Sequence, residues 1–283
     1  MLTEIRAGNF TIRGVSVGGI YTSLHVKELD VLLDVGLAPR SFAGAKALFL
    51  SHGHADHCGA LMTLIGARML MCNNRRLKIF LPAPIADTLR ASLDLVSTLQ
   101  RYDVNVKLCG MEPGDEAPLH ANLRVRAFRT YHPVPSLGYL FFRRVPKLRP
   151  EYVGLDGAEI RDRRRAGEDL FVDREILELA YATDTLVKVL DAEPALLSAR
   201  TLILECTFLD DAKPPERAHE SCHIHLDDLL PYADRFRNDA VVLMHFSQNY
   251  RPADVRAILD ARCPPGLRER VVPLVPNRRR WPG

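Results

Sequence analysis

The chain has 283 residues, 47% hydrophobic and 26% charged, a composition that excludes wholesale disorder and fibrous architectures. Its 38 basic and 35 acidic residues give a formal net charge of +3, too small by itself to indicate nucleic-acid binding. No apolar run reaches the roughly 20 residues that cross a bilayer, and the first residues lack a signal-peptide pattern, so we expect no membrane association.

Short apolar runs bounded by turn residues predict a strand-rich first half. The predicted strands cover residues 10–17, 23–26, 31–35, 47–50, 77–81, 105–108, 123–128 and 137–142. A helix is predicted over 85–99, where apolar residues recur at three- and four-residue spacing. A basic stretch at about 143–169 then interrupts the strand pattern, and we interpret it as an insertion.

The second half alternates strands at 179–182, 201–204 and 241–244 with helices near 226–235 and 253–259. We therefore predict an α/β protein with two sheets faced by helices, formed as a single domain over residues 1–283 because no linker or repeat is present. The cysteines include no C-x-x-C pair, which predicts reduced, mostly buried thiols and a cytoplasmic location. They are Cys58, Cys72, Cys109, Cys206, Cys222 and Cys263.

A histidine-rich segment, SHGHADH at residues 51–57, follows the predicted strand at 47–50. Alternate side chains of an extended loop point the same way, so His52 and His54 can chelate one metal ion. Asp56 and His57 then face a second position one step further on. Imidazole and carboxylate groups suit zinc, with manganese or iron as alternatives. A polar loop that is merely rich in histidine is the less favoured interpretation.

Further candidate ligands follow three later strands: His132, Asp184 and His245. Polar residues at strand ends converge at one edge of a sheet, although any one of them alone would more often be a capping or surface residue. Together they complete two four-ligand sets if Asp184 bridges. The sets are His52, His54, His132 and Asp184, and Asp56, His57, Asp184 and His245. Such a dinuclear site is typical of metal-dependent hydrolases.

The H-x-H-x-D-H pattern with later His, Asp and His resembles the metallo-β-lactamase superfamily. The resemblance implies an αββα sandwich with the metal site at one edge, and it matches Asp34 to an aspartate that orients the ligand loop. Within the superfamily, the chain resembles the tRNase Z family in its short, plant-type form. The matching segments are FLSHGHADHCGAL, TYHPVPSLGYLF, EYVGLDGAEIRDRRRAG, AYATDT, LECTFLDD, CHIHLDDLL and VVLMHFSQNY.

Two segments resemble the motifs that set this family apart. Residues 205–207, Glu-Cys-Thr, match the last three positions of its H-E-A-T motif, with Leu204 in place of the histidine. His223 matches the histidine of its H-S-T motif in the H-x-H variant. The resemblance implies that His223, oriented by Glu205, protonates the leaving 3′-oxygen. A strand-end carboxylate and a helix-capping histidine are the alternative interpretation of the same residues.

The implied activity is removal of the 3′ trailer from tRNA precursors by an endoribonuclease homodimer with two Zn²⁺, in which Asp56 accepts a proton from the attacking water. A phosphodiesterase for a small nucleotide is the main alternative. A lactonase, a β-lactamase and an inactive RNA-binding or metal-binding protein are weaker ones. The chain departs from the family in lacking the Pro-x-Lys-x-Arg-Asn loop and a long Gly/Pro-rich arm.

The remaining basic and histidine residues have several interpretations. Basic clusters at 75–78, 143–149, 161–165 and 278–281 can neutralise phosphates, or can be ordinary solvated surface. We expect His25, His120 and His219 to be structural or surface residues, whereas His225 fits either a helix cap or a polar group of the site. Cys58 and Cys222 are predicted to be small buried thiols.

Overall fold

The computed structural model describes residues 2–72, 75–120, 122–277 and 280–281, and these form two seven-stranded sheets. The first sheet contains, in spatial order, β1 (Thr3–Ala7), β2 (Phe10–Val17), β3 (Tyr21–Val26), β4 (Val31–Leu33), β5 (Ala47–Phe49), β6 (Leu77–Pro82) and β7 (Val106–Met111). The second contains β8 (Glu116–His120), β9 (Leu123–Arg129), β10 (Leu137–Leu148), β11 (Phe171–Ala182), β12 (Thr201–Glu205), β13 (Ala240–Met244) and β14 (Val271–Pro273). In both sheets the first four strands are antiparallel and the rest continue in parallel.

Helices lie between the strands along the chain. They are α1 (Ala55–Cys58), α2 (Leu61–Met71), α3 (Ala83–Gln100), α4 (Gly157–Arg165), α5 (Val189–Ala192), α6 (Pro215–Glu220), α7 (Leu226–Leu229), α8 (Pro252–Arg262) and α9 (Pro265–Arg268). None of the helices in the described ranges has the length and apolar character needed to cross a membrane.

The strands carry apolar residues on both faces of each sheet. One face packs against the other sheet, and the outer face packs against helices. Phe49, Tyr139 and Tyr181 lie in the core between the sheets, where the Phe49 and Tyr139 rings are 5.0 Å apart. On the outer face of the first sheet, Leu48 packs with residues of α2 and α3. On the outer face of the second, Leu243 packs with residues of α7 and α8. This layering confirms the predicted α/β sandwich.

Several elements differ from the sequence-based prediction. Three strands at or near sheet edges, β1, β8 and β14, were not predicted, because they are short and two of them contain proline. Helix α2 was also missed, since its run LMTLIGARMLM is apolar throughout and lacks a helical period. The helix predicted at 226–235 ends at Leu229, and a 3₁₀ helix continues over Leu230–Arg235.

The basic stretch at 143–169 is part of a long hairpin, which corrects its interpretation as an interruption of the strands. Strand β10 continues to Leu148 and β11 begins at Phe171, with Arg144 opposite Glu175 and Leu148 opposite Phe171. Pairing between β9 and β10 stops at Arg143, so residues 144–175 extend beyond the sheet as a two-stranded arm. Helix α4 lies at the tip of this arm and has no buried residue.

Candidate metal centre

The candidate ligands lie at strand ends that meet at one edge of the sandwich. Asp34, Asp184 and His245 follow β4, β11 and β13, and all three have left-handed backbone conformations with φ of 56°, 45° and 62°. Asp and His enter this region more readily than most residues. The segment 51–57 leaves β5 and packs so closely on Gly36 that a Cβ there would lie 1.9 Å from the carbonyl oxygen of Asp56. The loop and the strand ends are therefore held together by backbone geometry.

The structure brings the first predicted ligand set together. Nδ1 of His54 lies 3.0 Å from Nε2 of His52 and 3.2 Å from Nε2 of His132. Oδ2 of Asp184 lies 3.7 Å from His52 Nε2 and 3.9 Å from His132 Nε2. Three imidazole nitrogens and one carboxylate oxygen thus converge on a small volume, within 4.8 Å of one another.

The second predicted set lies beside the first. Oδ1 of Asp184 is 3.3 Å from Nε2 of both His57 and His245. Oδ2 of Asp56 is 3.5 Å from His57 Nε2 and 3.9 Å from His245 Nε2. The two oxygens of Asp184 therefore face different ligand sets, which is the arrangement that a bridging carboxylate needs.

Hydrogen bonds at Nδ1 leave the Nε2 atoms of His52, His57 and His245 facing the centre. Asp34 Oδ2 accepts from His57 Nδ1 at 2.7 Å. Ser51 Oγ donates to Asp34, so it can accept from His52 Nδ1 at 2.9 Å. Each neutral ring then carries its lone pair on Nε2, the form that binds a metal.

Two of these atoms have no hydrogen-bond partner among the described residues. They are Nε2 of His57 and Nε2 of His245, and both are buried. A buried polar atom without a partner costs roughly 1–3 kcal/mol, which a bound cation would offset. The nitrogen and oxygen donors are also those that zinc and similar divalent ions prefer. The residues therefore fit a pair of divalent cations.

The charges within the centre change the pKa values of its members. Burial lowers the pKa of His52 to about 2, and the charge of His57 acts in the same direction. Burial opposes the charge of both Asp184 and His57. The attraction of His245 and His57 nevertheless lowers the pKa of Asp184, and the attraction of Asp184 and Asp34 raises the pKa of His57. A bound cation would displace the proton of His57, because the cation and the proton are attracted by the same carboxylates.

Asp34 lies behind the ligand loop, in the orienting position that the resemblance implied. It is fully buried and accepts hydrogen bonds from Ser51 N at 2.7 Å, Ser51 Oγ at 2.8 Å and Tyr181 Oη at 2.5 Å. Together with its contact to His57, these bonds fix the start of the loop and the orientation of one imidazole. A strand-end turn residue would not need such contacts.

Glu205 and His223 form a pair at the edge of the two ligand sets. Nδ1 of His223 lies 3.0 Å from Oε1 of Glu205, and its ring centroid is 5.2 Å from that of His245. Burial opposes the charge of His223, but the charge of Glu205 and their hydrogen bond outweigh it and raise the pKa of His223 to about 9. The contact with Glu205 thus favours the protonated form of His223 beside the candidate metal site.

Two threonines connect this pair to the ligands, a role that sequence reasoning missed. Thr207 Oγ1 donates to Glu205 Oε2 at 2.7 Å and so can accept from His245 Nδ1 at 3.0 Å. Thr185 donates its backbone N–H to Glu205 at 2.6 Å, and its Oγ1 accepts the N–H of Tyr131 at 2.9 Å. The sequence does contain a sign of this role, because each threonine lies within two residues of a candidate site carboxylate.

The structure also shows the surroundings of several predicted residues outside the two ligand sets. His225 is a helix cap, because its Nδ1 accepts from Asp227 N and its Nε2 bonds the carbonyl oxygen of Asp210. Cys58 and Cys222 are only half-buried, contrary to the expectation of buried thiols. The prediction that most of the six cysteines are buried is wrong as well, because only Cys206 and Cys263 are. Within the basic cluster at 278–281, residues 278 and 279 lie outside the described ranges.

Residues 29–246 match the family described as the beta-lactamase superfamily domain. Two solved structures share the fold: the metallo-beta-lactamase fold protein YhfI from Bacillus subtilis and human tRNase Z, short form. YhfI gives a TM-score of 0.60 at 16% identity, covering 97% of this chain and 95% of the other. The human protein gives 0.57 at 18% identity, covering 83% and 92%. The fold and the paired ligand sets thus define the beta-lactamase superfamily class.

Sequence similarity identifies the family within this superfamily. The chain is 33% identical to tRNase Z TRZ1 of Arabidopsis thaliana over 267 residues, which cover 94% of this chain and 95% of that protein. Within the beta-lactamase superfamily, this chain belongs to the tRNase Z family.

Proposed function

We propose that this protein is a metal-dependent endoribonuclease that removes the 3′ trailer from tRNA precursors by hydrolysing one phosphodiester bond. Family membership supports this activity. The observation that carries it is the Glu205–His223 pair beside the two ligand sets, because a protonated imidazole next to a hydrolytic metal site can serve a leaving alkoxide.

The residues fit two divalent cations, and we propose Zn²⁺, with Mn²⁺ or Fe²⁺ as alternatives. The first would be held by His52, His54, His132 and Asp184, and the second by Asp56, His57, Asp184 and His245. Bound there, the cations would acidify a water molecule and offset negative charge on the phosphoryl oxygens.

The chain's own residues would move the protons. Asp56 accepts the proton of the attacking water through its carboxylate. The water oxygen bonds to phosphorus as the bond from phosphorus to the ribose 3′-oxygen breaks. His223, held at Nδ1 by Glu205, donates the proton on its Nε2 to that 3′-oxygen. The products are a tRNA with a 3′-hydroxyl and a trailer with a 5′-phosphate.

An end-mapped cleavage assay tests this function. A precursor tRNA with a 3′ trailer is incubated with the zinc-loaded or manganese-loaded protein, with a chelated sample and Asp56→Ala as controls, and with bis(p-nitrophenyl) phosphate alongside. We expect metal-dependent cleavage at the end of the acceptor stem and none with Asp56→Ala. Hydrolysis of the small diester with the precursor intact would move the substrate to a small phosphodiester and contradict the proposal.

We further propose that residues 1–283 act as one catalytic domain in a cytoplasmic homodimer. All six cysteines are free thiols, which suits a reducing compartment. Leu95 and Leu99 lie one turn apart on α3 and are 73% and 82% exposed, so this face of the helix can bury apolar surface against a second copy. Light scattering of Leu95→Glu/Leu99→Glu should show a monomer if α3 forms the interface.

A further inference from the structure

Ion pairs engage the arginines at the base of the arm and at the end of β10. Arg144 contacts Glu116 at 2.9 Å and Glu175 at 3.0 Å, and Arg143 contacts Glu178 at 3.4 Å. Arg149 is paired with Asp169. A cation already bonded to a carboxylate gives up that contact before it can bind a phosphate, so these arginines are weak candidates for holding RNA at the site.

Unlike those arginines, Arg129 and Lys188 form no ion pair within the described ranges. Both are exposed, and both lie against the same aromatic ring. The guanidinium of Arg129 is 5.3 Å from the ring centroid of Tyr131, and the ammonium of Lys188 is 4.2 Å from it. We call these three residues the cationic platform. The ring fixes the position of two positive charges without neutralising either of them.

The platform is attached directly to the metal centre. Tyr131 immediately precedes the ligand His132, and its N–H donates to Oγ1 of Thr185, the residue after Asp184, at 2.9 Å. Arg129 and His132 also line an open cavity of about 470 Å³. A substrate chain that reaches His132 through this cavity therefore passes Arg129, and Lys188 lies against the same tyrosine ring as Arg129.

We propose that Arg129, Tyr131 and Lys188 bind a backbone phosphate of the RNA strand next to the scissile phosphate. The proposal rests on the proposed endoribonuclease function. Because both cations contact the tyrosine ring, the platform offers charge rather than a free stacking surface. The contact is thus independent of base sequence and should act on affinity for RNA, not on proton transfer.

The test measures RNA binding and its salt dependence. Anisotropy of a labelled trailer-containing precursor is recorded from 50 to 300 mM KCl in a His223→Ala background, where cleavage is slow. Arg129→Ala, Lys188→Ala and the double variant are compared with Lys188→Arg, which keeps the charge. Lys107→Ala is the matched control, since Lys107 is an exposed cation near the start of β7, at the opposite end of the parallel strands from the ligands.

We expect each alanine to weaken binding about three- to tenfold near 0.1 M salt and to lower the salt slope by about 0.7, equally for trailers of different sequence. Lys188→Arg and Lys107→Ala should bind like the parent. KM for cleavage, measured without the background change, should rise by the same factor. The proposal would be contradicted if the double variant kept the parent's RNA affinity and salt slope, or if the loss of affinity were confined to one trailer sequence.

The same experiments separate this proposal from the proposed function. If the alanine variants lose RNA affinity but the wild-type protein leaves the trailer junction uncut, the platform stands and the endoribonuclease function fails. If the wild type cuts at the junction and the double variant has an unchanged KM, the function stands and the platform fails.

Discussion

Glu205 joins parts of the centre that are far apart in the sequence. Its carboxylate is fully buried and accepts hydrogen bonds from His223 Nδ1, Thr185 N and Thr207 Oγ1. Through these contacts one side chain fixes the candidate proton donor, the loop after Asp184 and, by way of Thr207, the ring of His245. Its effect on the reaction is therefore exerted through other residues.

Replacing His223 tests the role of proton donor. We expect His223→Ala to lower kcat for the precursor by about 10²–10⁴-fold, because the leaving 3′-oxygen would depart without a proton. RNA affinity and metal content should change little. Single-turnover kinetics and metal analysis check this, with His219→Ala as control, since His219 is exposed and bonded to Asp228. Loss of metal with little loss of turnover per bound metal would contradict the assignment.

Replacing Thr207 tests the connection between the proton donor and the second ligand set. Thr207→Val removes the hydroxyl that bonds both Glu205 and His245 Nδ1. We expect metal affinity to fall roughly 10–100-fold, as is usual when the partner of a ligating histidine is lost. Thr207→Ser should restore it. Competition with a coloured chelator measures this affinity, and equal values for valine and serine would rule out the connection.

At the scale of secondary-structure elements, the arm is separable from the core. Residues 144–148 pair only with residues 171–175 among the described strands, and no residue of α4 is buried. The helix starts with a capping box at Asp156, so its order is local. Its basic face at 161–165 lies at the tip, beyond the sheets.

Shortening the arm should therefore affect large substrates only. Arg149 N bonds the carbonyl oxygen of Leu170, so Asn-Gly in place of residues 150–169 would close the hairpin with a two-residue turn. We expect a melting temperature within about 3 °C of the parent, since the core is untouched, and a raised KM for precursor tRNA. Hydrolysis of bis(p-nitrophenyl) phosphate serves as the control. An unchanged KM for the precursor would show that the arm does not contact RNA.

The elements predicted from the sequence were those with a clear period or clear boundaries. Strands β5, β11 and β13 were found because apolar runs end at polar residues, and the same boundaries pointed to the candidate ligands. The arm was misread because its strands are charged on both faces, as in KLRPE and FVDREIL. Thr207 was noted only as the last position of a family motif and Thr185 received no role, because the partners of a hydroxyl group are set by tertiary contacts.

At the scale of the whole molecule, the centre links metal binding to folding. Its ligands come from both sheets, from the loop after β5 to the end of β13. An ion that binds only the folded chain stabilises it by about 4 kcal/mol when present at a thousandfold excess over Kd.

Removal of the metal should therefore lower the melting temperature. For a chain of this size we expect a decrease of roughly 10 °C in excess EDTA, because each kcal/mol corresponds to a few degrees. Calorimetry before and after chelation measures it, and re-addition of Zn²⁺ or Mn²⁺ should restore the transition. A His52→Ala/His245→Ala variant is the control, since chelation should leave it nearly unchanged. Identical transitions of the wild type with and without chelator would show that no structural cation is bound.

The left-handed backbone at Asp34, Asp184 and His245 has a consequence for how the protein can evolve. Each such conformation in a residue with a Cβ costs on the order of 1 kcal/mol, and glycine would relieve it. Glycine at any of these positions would also remove a side chain of the centre. That loss would cost more stability than the strain it relieves, because it removes the buried hydrogen bonds of Asp34 or the ligands of a stabilising cation. Heat resistance and turnover therefore select for the same three residues at these strand ends.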